Sequence, residues 1–256
     1  MAFFDVHFFS AALKVQVSVY AILPEEQMGI GVEASDREEL PQVLYLLHGY
    51  SDDHTIWLRR TSVERYAASH NLAVIMPAVN HSFYTNEAQG ERYWDFVSEE
   101  LPRAMHRFFR LSDKPEDTFV CGLSMGGYGA MKLALTHPER YQAAGSFSGG
   151  VDVADLSRRS KESVAGLERV FGPAEKIAGS EHDLFALLKK NAKAPHKPQL
   201  YISCGTADFL YDAHKKFWPA AEKAGWDVAH YEKPDAVHEW GFWDEQIAVF
   251  IRRYVK

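Results

Sequence analysis

The segment TFVCGLSMGGYGA, Thr118–Ala130, passes from strand to helix through one tight bend. Thr118–Cys121 is a short apolar run of the kind a buried strand uses. It leads without a linker into Gly122-Leu123-Ser124-Met125-Gly126, and Tyr128–Thr136 then reads as helix. A serine at such a bend is lifted clear of the chain. That matters because a hydroxyl is a weak nucleophile and must meet both a base and a carbonyl carbon. Glycines two residues to either side permit the bend, since a Cβ there would strike the neighbouring strand or helix. The bend also sets Ser124 at a helix N-terminus. There the amide of Met125 has no intrahelical acceptor and can donate to a developing oxyanion. The five-residue G-x-S-x-G pattern recurs by chance. The strand before it, and Gly127 and Gly129 after it, make it informative here.

The same alternation continues on both sides. Upstream, Gln42–Leu47 (QVLYLL) and Leu72–Met76 are continuous apolar runs, as expected of strands buried on both faces, with a helix over Ser62–His70 between them. Val97, Leu101, Met105, Phe108 and Phe109 fall at helical spacing, and Pro102 fits that helix only near its first turn. Downstream, Tyr141–Phe147, Gln199–Cys204 and Asp227–Tyr231 read as strands, and Trp240–Tyr254 as the closing helix. At the other end, Phe3–Phe9 and Lys14–Leu23 read as an antiparallel pair, followed by an acidic loop over Pro24–Pro41. The expected architecture is a single α/β domain over residues 1–256, with a mostly parallel sheet and helices on both faces. One stretch interrupts the rhythm. Asp152–Ala194 is long, polar and helix-prone where a short connection would suffice, and is expected to be a helical insertion, a candidate lid over a site.

Composition narrows the function. Of 256 residues, 46% are hydrophobic and 25% charged, which suits a globular chain and excludes a disordered or fibrous one. A formal net charge of −7, without a basic run, argues against nucleic acid or an anionic membrane as partner. No window approaches the roughly 20 apolar residues of a membrane helix, and the N-terminus has neither a basic start nor a cleavage site, so a cytoplasmic location is expected. Two cysteines, Cys121 and Cys204, make no disulfide framework and read as reduced core thiols. HExxH, paired CxxC and a first-strand GxGxxG are all missing from the sequence, so no metal and no cofactor is expected. His230, Asp235 and His238 are near one another but read more simply as strand and loop residues.

An oxyanion needs a second donor, and a base and an acid must serve the serine. The strand QVLYLL ends in His48-Gly49-Tyr50-Ser51-Asp52-Asp53. A His-Gly step after an early strand suits the second oxyanion donor, here the amide of Tyr50 with that of Gly49 as the alternative, and His48 reads as structural. With chain order serine, acid, histidine, the candidate bases are His137, His182, His196, His214, His230 and His238. His238 sits in a loop directly after the strand Asp227–Tyr231, at the end where such a sheet presents its chemistry. For the acid, Asp208 leaves the strand QLYIS at the same end. Asp212, Asp152 and Asp155 are less favourably placed.

Four motifs together carry a resemblance. HGYSDDHTIW (His48–Trp57), GLSMGGYGAMKLAL (Gly122–Leu135), CGTADFLY (Cys204–Tyr211) and HEWGFW (His238–Trp243) resemble the esterase D and tributyrin esterase branch of the α/β-hydrolases, over nearly the whole chain. The bacterial intracellular tributyrin esterases are the nearest likeness. That resemblance implies Ser124, Asp208 and His238 as a triad, the amides of Tyr50 and Met125 as oxyanion hole, short-chain acyl esters as substrates, no cofactor, and frequent homo-oligomers. Asn80–Tyr84 and Tyr93-Trp94 resemble the loop bordering the acyl pocket. Phe83 and Trp94 are therefore candidate pocket residues, and Gly49 is a further one; Met125, Trp94, Phe83 and the insertion together predict a small pocket for acetyl to butyryl groups.

The superfamily also contains S-formylglutathione hydrolases, feruloyl and acetylxylan esterases, and mycolyltransferases. The first of these tend to carry a cysteine soon after the His-Gly step, where Ser51-Asp52-Asp53 stands here. Two rival readings stay open at this level: an acyltransferase that passes the acyl group to an alcohol or thiol, and a hydrolase fold kept only as a binding module.

Overall fold

The computed structural model describes residues 1–25, 39–159 and 166–256. Most of the expected acidic loop, residues 26–38, and residues 160–165 of the expected insertion lie outside the described residues. Eight strands form one sheet: β1 (Ala2–Ser10), β2 (Val15–Leu23), β3 (Gln42–Leu47), β4 (Leu72–Pro77), β5 (Thr118–Leu123), β6 (Ala143–Phe147), β7 (Gln199–Gly205) and β8 (Val228–Lys233). Their order across the sheet is β1-β2-β4-β3-β5-β6-β7-β8. From β4 to β8 every neighbouring pair is parallel, while β1 with β2 and β2 with β4 are antiparallel. The strand-helix rhythm predicts this mostly parallel sheet, and it is the architecture that the resemblance to the α/β-hydrolases implies.

Every side chain of QVLYLL is buried, which is what a strand covered on both faces requires. Alternate residues go to opposite faces. Val43, Tyr45 and Leu47 join the core built with helix α5 (Met125–Thr136), α8 (Leu184–Lys190) and α9 (Tyr211–Lys223). Leu44 and Leu46 join the core built with α1 (Ile56–Arg60), α2 (Val63–Ala68) and α10 (Trp240–Tyr254). Each large apolar side chain removed from water contributes on the order of 2 kcal/mol, so these two layers hold the sheet between them.

The helix expected around Val97–Phe109 is resolved into three joined pieces: α3 (Tyr93–Asp95), a π turn over Phe96–Glu100, and α4 (Leu101–Phe108). The amide of Leu101 donates to the Phe96 carbonyl, one residue further back than in an α-helix. That widened turn takes up Pro102, which has no N–H to offer the carbonyl of Ser98. Arg140 Nη1 donates to that carbonyl instead, at 2.8 Å. Leu101 and Met105 are buried, but Phe108 is turned outward, against the apolar-face expectation.

The long connection from β6 to β7 carries α6 (Val153–Arg159), α7 (Leu167–Phe171) and α8. The chain runs outward from β3 to β4 and then back past β3 to β5, so the sheet reverses its winding between β3 and β5. In open sheets of this type the crevice beyond the strand ends at such a reversal is where a site forms.

Candidate active site

Ser124 directly follows β5, with φ 50 and ψ −115. A non-glycine residue in that conformation costs on the order of 1–3 kcal/mol and persists only where its surroundings enforce it. Three backbone hydrogen bonds do so. Ser124 N donates to the Phe147 carbonyl at 2.9 Å, and the Ser124 carbonyl accepts from Tyr128 N at 3.1 Å and Gly150 N at 3.0 Å. The flanking glycines are forced by the same bend. A Cβ on Gly122 would stand 2.6 Å from the Gly126 carbonyl carbon, and one on Gly126 would stand 2.3 Å from the Leu47 carbonyl oxygen. Met125 is the first residue of α5, so its amide is among those a helix start leaves without an intrahelical acceptor.

Six histidines follow Ser124 in sequence, and five are engaged elsewhere. His137 stacks on Trp94, and His182 lies 3.1 Å from Thr85 Oγ1. His196 Nε2 faces the Tyr141 carbonyl, and His214 Nε2 lies 3.4 Å from Glu232. His230 turns away to stack face to face on Trp218, 3.8 Å between ring centres. His238 lines the same cavity as Ser124. Its Nδ1 lies 2.8 Å from Asp208 Oδ2. Because a carboxylate can only accept, Nδ1 carries the proton and Nε2 is left free to take one. Asp208 is fully enclosed, and its other oxygen accepts the amide of Leu210 at 2.9 Å. The other three candidate aspartates are occupied locally: Asp212 pairs with Lys215, Asp155 with Arg159, and Asp152 Oδ1 accepts the amide of Asp155.

The loop after β3 is tied down from both sides. Val79 N donates to His48 Nε2 at 3.1 Å, so His48 Nδ1 is the protonated nitrogen and donates to the Gly49 carbonyl at 2.7 Å. Burial holds this imidazole neutral, with its pKa lowered to about 4. Tyr84 Oη donates to the His48 carbonyl at 2.9 Å. Asp52 then closes the turn: Oδ2 accepts the amide of Gly49 at 3.2 Å, and its own amide donates to the Gly49 carbonyl at 3.3 Å. The Gly49 amide is thus engaged within the loop, while Tyr50 lies between the two ends of the clamp. Partial burial raises the pKa of the Asp52 carboxyl.

The cavity measures about 410 Å³. Gly49, Tyr50, Phe83 and Met125, all singled out in the sequence, line it together with Ser124 and His238. Trp94 does not, and that expectation is corrected. Its ring stacks on His137 and lies 4.6 Å from Lys132 Nζ. Sequence reasoning missed Asp52, Leu156, Phe209, Trp240 and Trp243, which also line the cavity. Phe209 and Trp243 bracket the imidazole of His238, with ring centres at 4.6 and 4.8 Å. Their place next to Asp208 and in HEWGFW was the available signal. Leu156, on α6, comes from the segment expected to cover the site.

Comparison with known proteins bears on this arrangement. The family described as Putative esterase matches residues 10–254. An acetyl esterase of Caldicellulosiruptor saccharolyticus is 30% identical, over 97% of this chain and 96% of that protein. Among solved structures, the fluorophosphonate-binding serine hydrolase F of Staphylococcus aureus superposes with a TM-score of 0.89 at 35% identity, covering 100% of this chain and 98% of that one. An S-formylglutathione hydrolase of Staphylococcus aureus superposes with a TM-score of 0.86 at 35% identity, over 100% of this chain and 99% of that one.

Proposed function

The chain belongs to that esterase family and is a serine hydrolase acting on ester bonds, and we propose that Ser124, Asp208 and His238 are its catalytic triad, cleaving short acyl esters from acetyl to butyryl. The observation that carries this is the 2.8 Å pairing of Asp208 with His238 Nδ1 beside a cavity that His238 shares with the strained Ser124.

The steps follow from that pairing. His238 Nε2 takes the proton of Ser124 Oγ as the oxygen attacks the ester carbonyl. The amides of Tyr50 and Met125 donate to the oxyanion. His238 returns the proton to the departing alcohol, leaving an acyl-serine. Water, deprotonated by the same nitrogen, then releases the acid. Asp208 keeps the imidazole in the tautomer this requires throughout. The aromatic walls from Phe83, Phe209, Trp240 and Trp243 support a small acyl group. Leu156 of α6 supports a covering role for the described part of the insertion, residues 152–159 and 166–194. The two cysteines are free and buried, which suits a reducing cytoplasm.

A thioester substrate is a second reading, favoured by the likeness to the staphylococcal S-formylglutathione hydrolase. Against it, Asp52 is the one carboxylate lining the cavity and no lysine or arginine joins it among the described residues, so the carboxylates of a glutathione moiety find no cation there. A panel of nitrophenyl acetate, butyrate and laurate, feruloyl esters and S-formylglutathione, run with and without a competing alcohol, tests the proposal. Fastest turnover of acetyl or butyryl esters with free acid as product is expected. Faster turnover of the twelve-carbon ester, or acyl transfer exceeding hydrolysis, would contradict it.

A further inference from the structure

The outer strand of the sheet carries a pattern that the ester chemistry does not use. β1 reads AFFDVHFFS, and among the described residues its one strand neighbour is β2, in register from Ala2 opposite Leu23 to Ser10 opposite Val15. An edge strand of nine residues is a template for another chain, and proteins usually blunt it with lysine, proline or a bulge. β1 has no lysine, proline or bulge, and Asp5 is its one acidic side chain. Instead Phe3, Phe4 and Phe9 are exposed at 45%, 40% and 59%, and Phe108 of α4 beside them at 48%. A groove beside it is lined by Phe8, Phe9, Ala104 and Phe108 together with the charged Glu100, Arg103 and Arg107.

The strand is chemically symmetric about Val6: Phe-Phe-Asp, then valine, then His-Phe-Phe. A two-fold interface demands a surface complementary to itself. Pairing two copies of β1 antiparallel about Val6 sets Phe3 opposite Phe9 of the second copy, Phe4 opposite Phe8, and Asp5 opposite His7. Aromatic pairs stabilise a sheet across strands, and a carboxylate opposite an imidazole can accept its ring N–H. Sliding the copies by two residues in one direction opposes Asp5 to Asp5, and in the other opposes His7 to His7 and Asp5 to Phe9. A one-residue slip turns the faces over. One register alone satisfies every position. Within a single chain Asp5 Oδ1 already lies 3.1 Å from His7 Nε2, so the pairing would alternate acid and imidazole across the seam.

We propose that β1 is the seam of a two-fold homodimer, in which two eight-stranded sheets join into one of sixteen strands with Val6 on the axis. The partner is a second copy of this chain, identified by the self-complementary order of aromatic, acid and imidazole side chains along the strand.

Sedimentation velocity at micromolar concentration tests it, on the unmodified protein and on three variants. The unmodified chain is expected at twice its monomer mass. Phe3→Lys alone and Phe9→Glu alone each place one charge against an aromatic ring at both ends of the seam, and each is expected to halve the mass. The double variant Phe3→Lys with Phe9→Glu opposes lysine to glutamate at both ends and is expected to recover the dimer. Ester hydrolysis, which uses groups at the ends of β5, β7 and β8, reports that each variant is folded. A monomeric unmodified chain, single variants that stay dimeric, or a double variant that stays monomeric while active would overturn the proposal. A larger assembly that halves in each single variant and recovers in the double one supports it.

Discussion

The loops that bear Asp208 and His238 are pressed together at Gly205 and Ala236. A Cβ built on Gly205 would stand 2.1 Å from the Ala236 carbonyl oxygen and 2.5 Å from its carbon. Two hydrogen bonds lace the same junction: Ala207 N donates to that carbonyl at 3.1 Å, and Asp235 N donates to Thr206 Oγ1 at 2.9 Å. The acid and the imidazole meet because the chain has no side chain at position 205. Gly205→Ala is therefore expected to push the loops apart and lower kcat/KM for butyrate esters on the order of a hundredfold, the usual result of displacing a catalytic group by about 1 Å. Melting temperature should fall with it, as overpacking against backbone costs about 1–3 kcal/mol. Steady-state kinetics beside thermal melts check this. Wild-type kinetics in the variant would mean that the approach does not set the geometry.

Asp52 ties down, through the Gly49 amide, the loop proposed to carry an oxyanion donor. Asp52→Ala removes that acceptor and should lower kcat roughly tenfold to a hundredfold with little change in KM, because a misaimed donor is felt in the transition state. Asp52→Asn keeps an acceptor oxygen and should retain most of the rate. It also removes the carboxylate from the cavity wall, so hydrolysis of a hemisuccinate ester should rise relative to the neutral butyrate. The ratio of the two substrates in wild type and Asn variant is the measurement.

His48 gives the fold a dependence on acid. Its native pKa of about 4 lies below the 6.5 of the unfolded chain, so between those values the unfolded state binds a proton that the folded state refuses. Stability is full above pH 6.5 and is lost as pH falls toward 4, by about 3 kcal/mol for this one group. His48→Gln can both accept from Val79 and donate to Gly49 but does not titrate. Urea unfolding of the two proteins at pH 7 and pH 4.5 should show the variant gaining on the wild type at the lower pH.

Much of this was legible before the structure. QVLYLL and the segment Trp240–Tyr254 have the bounds expected of them, because an unbroken apolar run and a long amphipathic one each have a single way to be buried in this architecture. Ser124 was legible because a serine between glycines at a strand end has a local cause. His238 and Asp208 were legible from chain order and from their strands ending at one edge of the sheet. Trp94 was misread because a loop aromatic can turn to either side, and its choice of His137 and Lys132 depends on α5, far away in sequence. Phe209 was passed over for the converse reason. At 62% exposed it looks like surface, and it matters only because it lies on the ring of His238. The π turn at Phe96–Glu100 was hidden because Pro102 forbids one hydrogen bond without saying how the helix absorbs the loss.

Lys132 is buried on α5, with Nζ hydrogen-bonded to Thr85 Oγ1 and close to His182 Nδ1. Burial lowers its pKa from 10.5 to about 7. The cost of enclosing its charge is complete below pH 7 and is relieved as pH rises toward 10.5, where the unfolded chain loses the same proton. Lys132→Met should therefore raise the melting temperature by several degrees at pH 7, and the gain over wild type should shrink at pH 10. Thr85 Oγ1 and His182 Nδ1, 3.1 Å apart, can bond each other in the variant. A variant less stable than wild type at pH 7 would show that the ammonium is compensated in place.

The role of Ser124 as nucleophile is tested most directly by rapid quench. The protein is mixed with nitrophenyl butyrate, stopped in acid within the first turnover, digested and weighed by mass spectrometry. A butyryl group on the peptide carrying Ser124 is expected, appearing with the nitrophenol burst and decaying at the steady-state rate. Ser124→Ala should carry no adduct and lose on the order of 10³-fold or more in kcat. An adduct on any other residue, or near wild-type hydrolysis by Ser124→Ala, would contradict the triad.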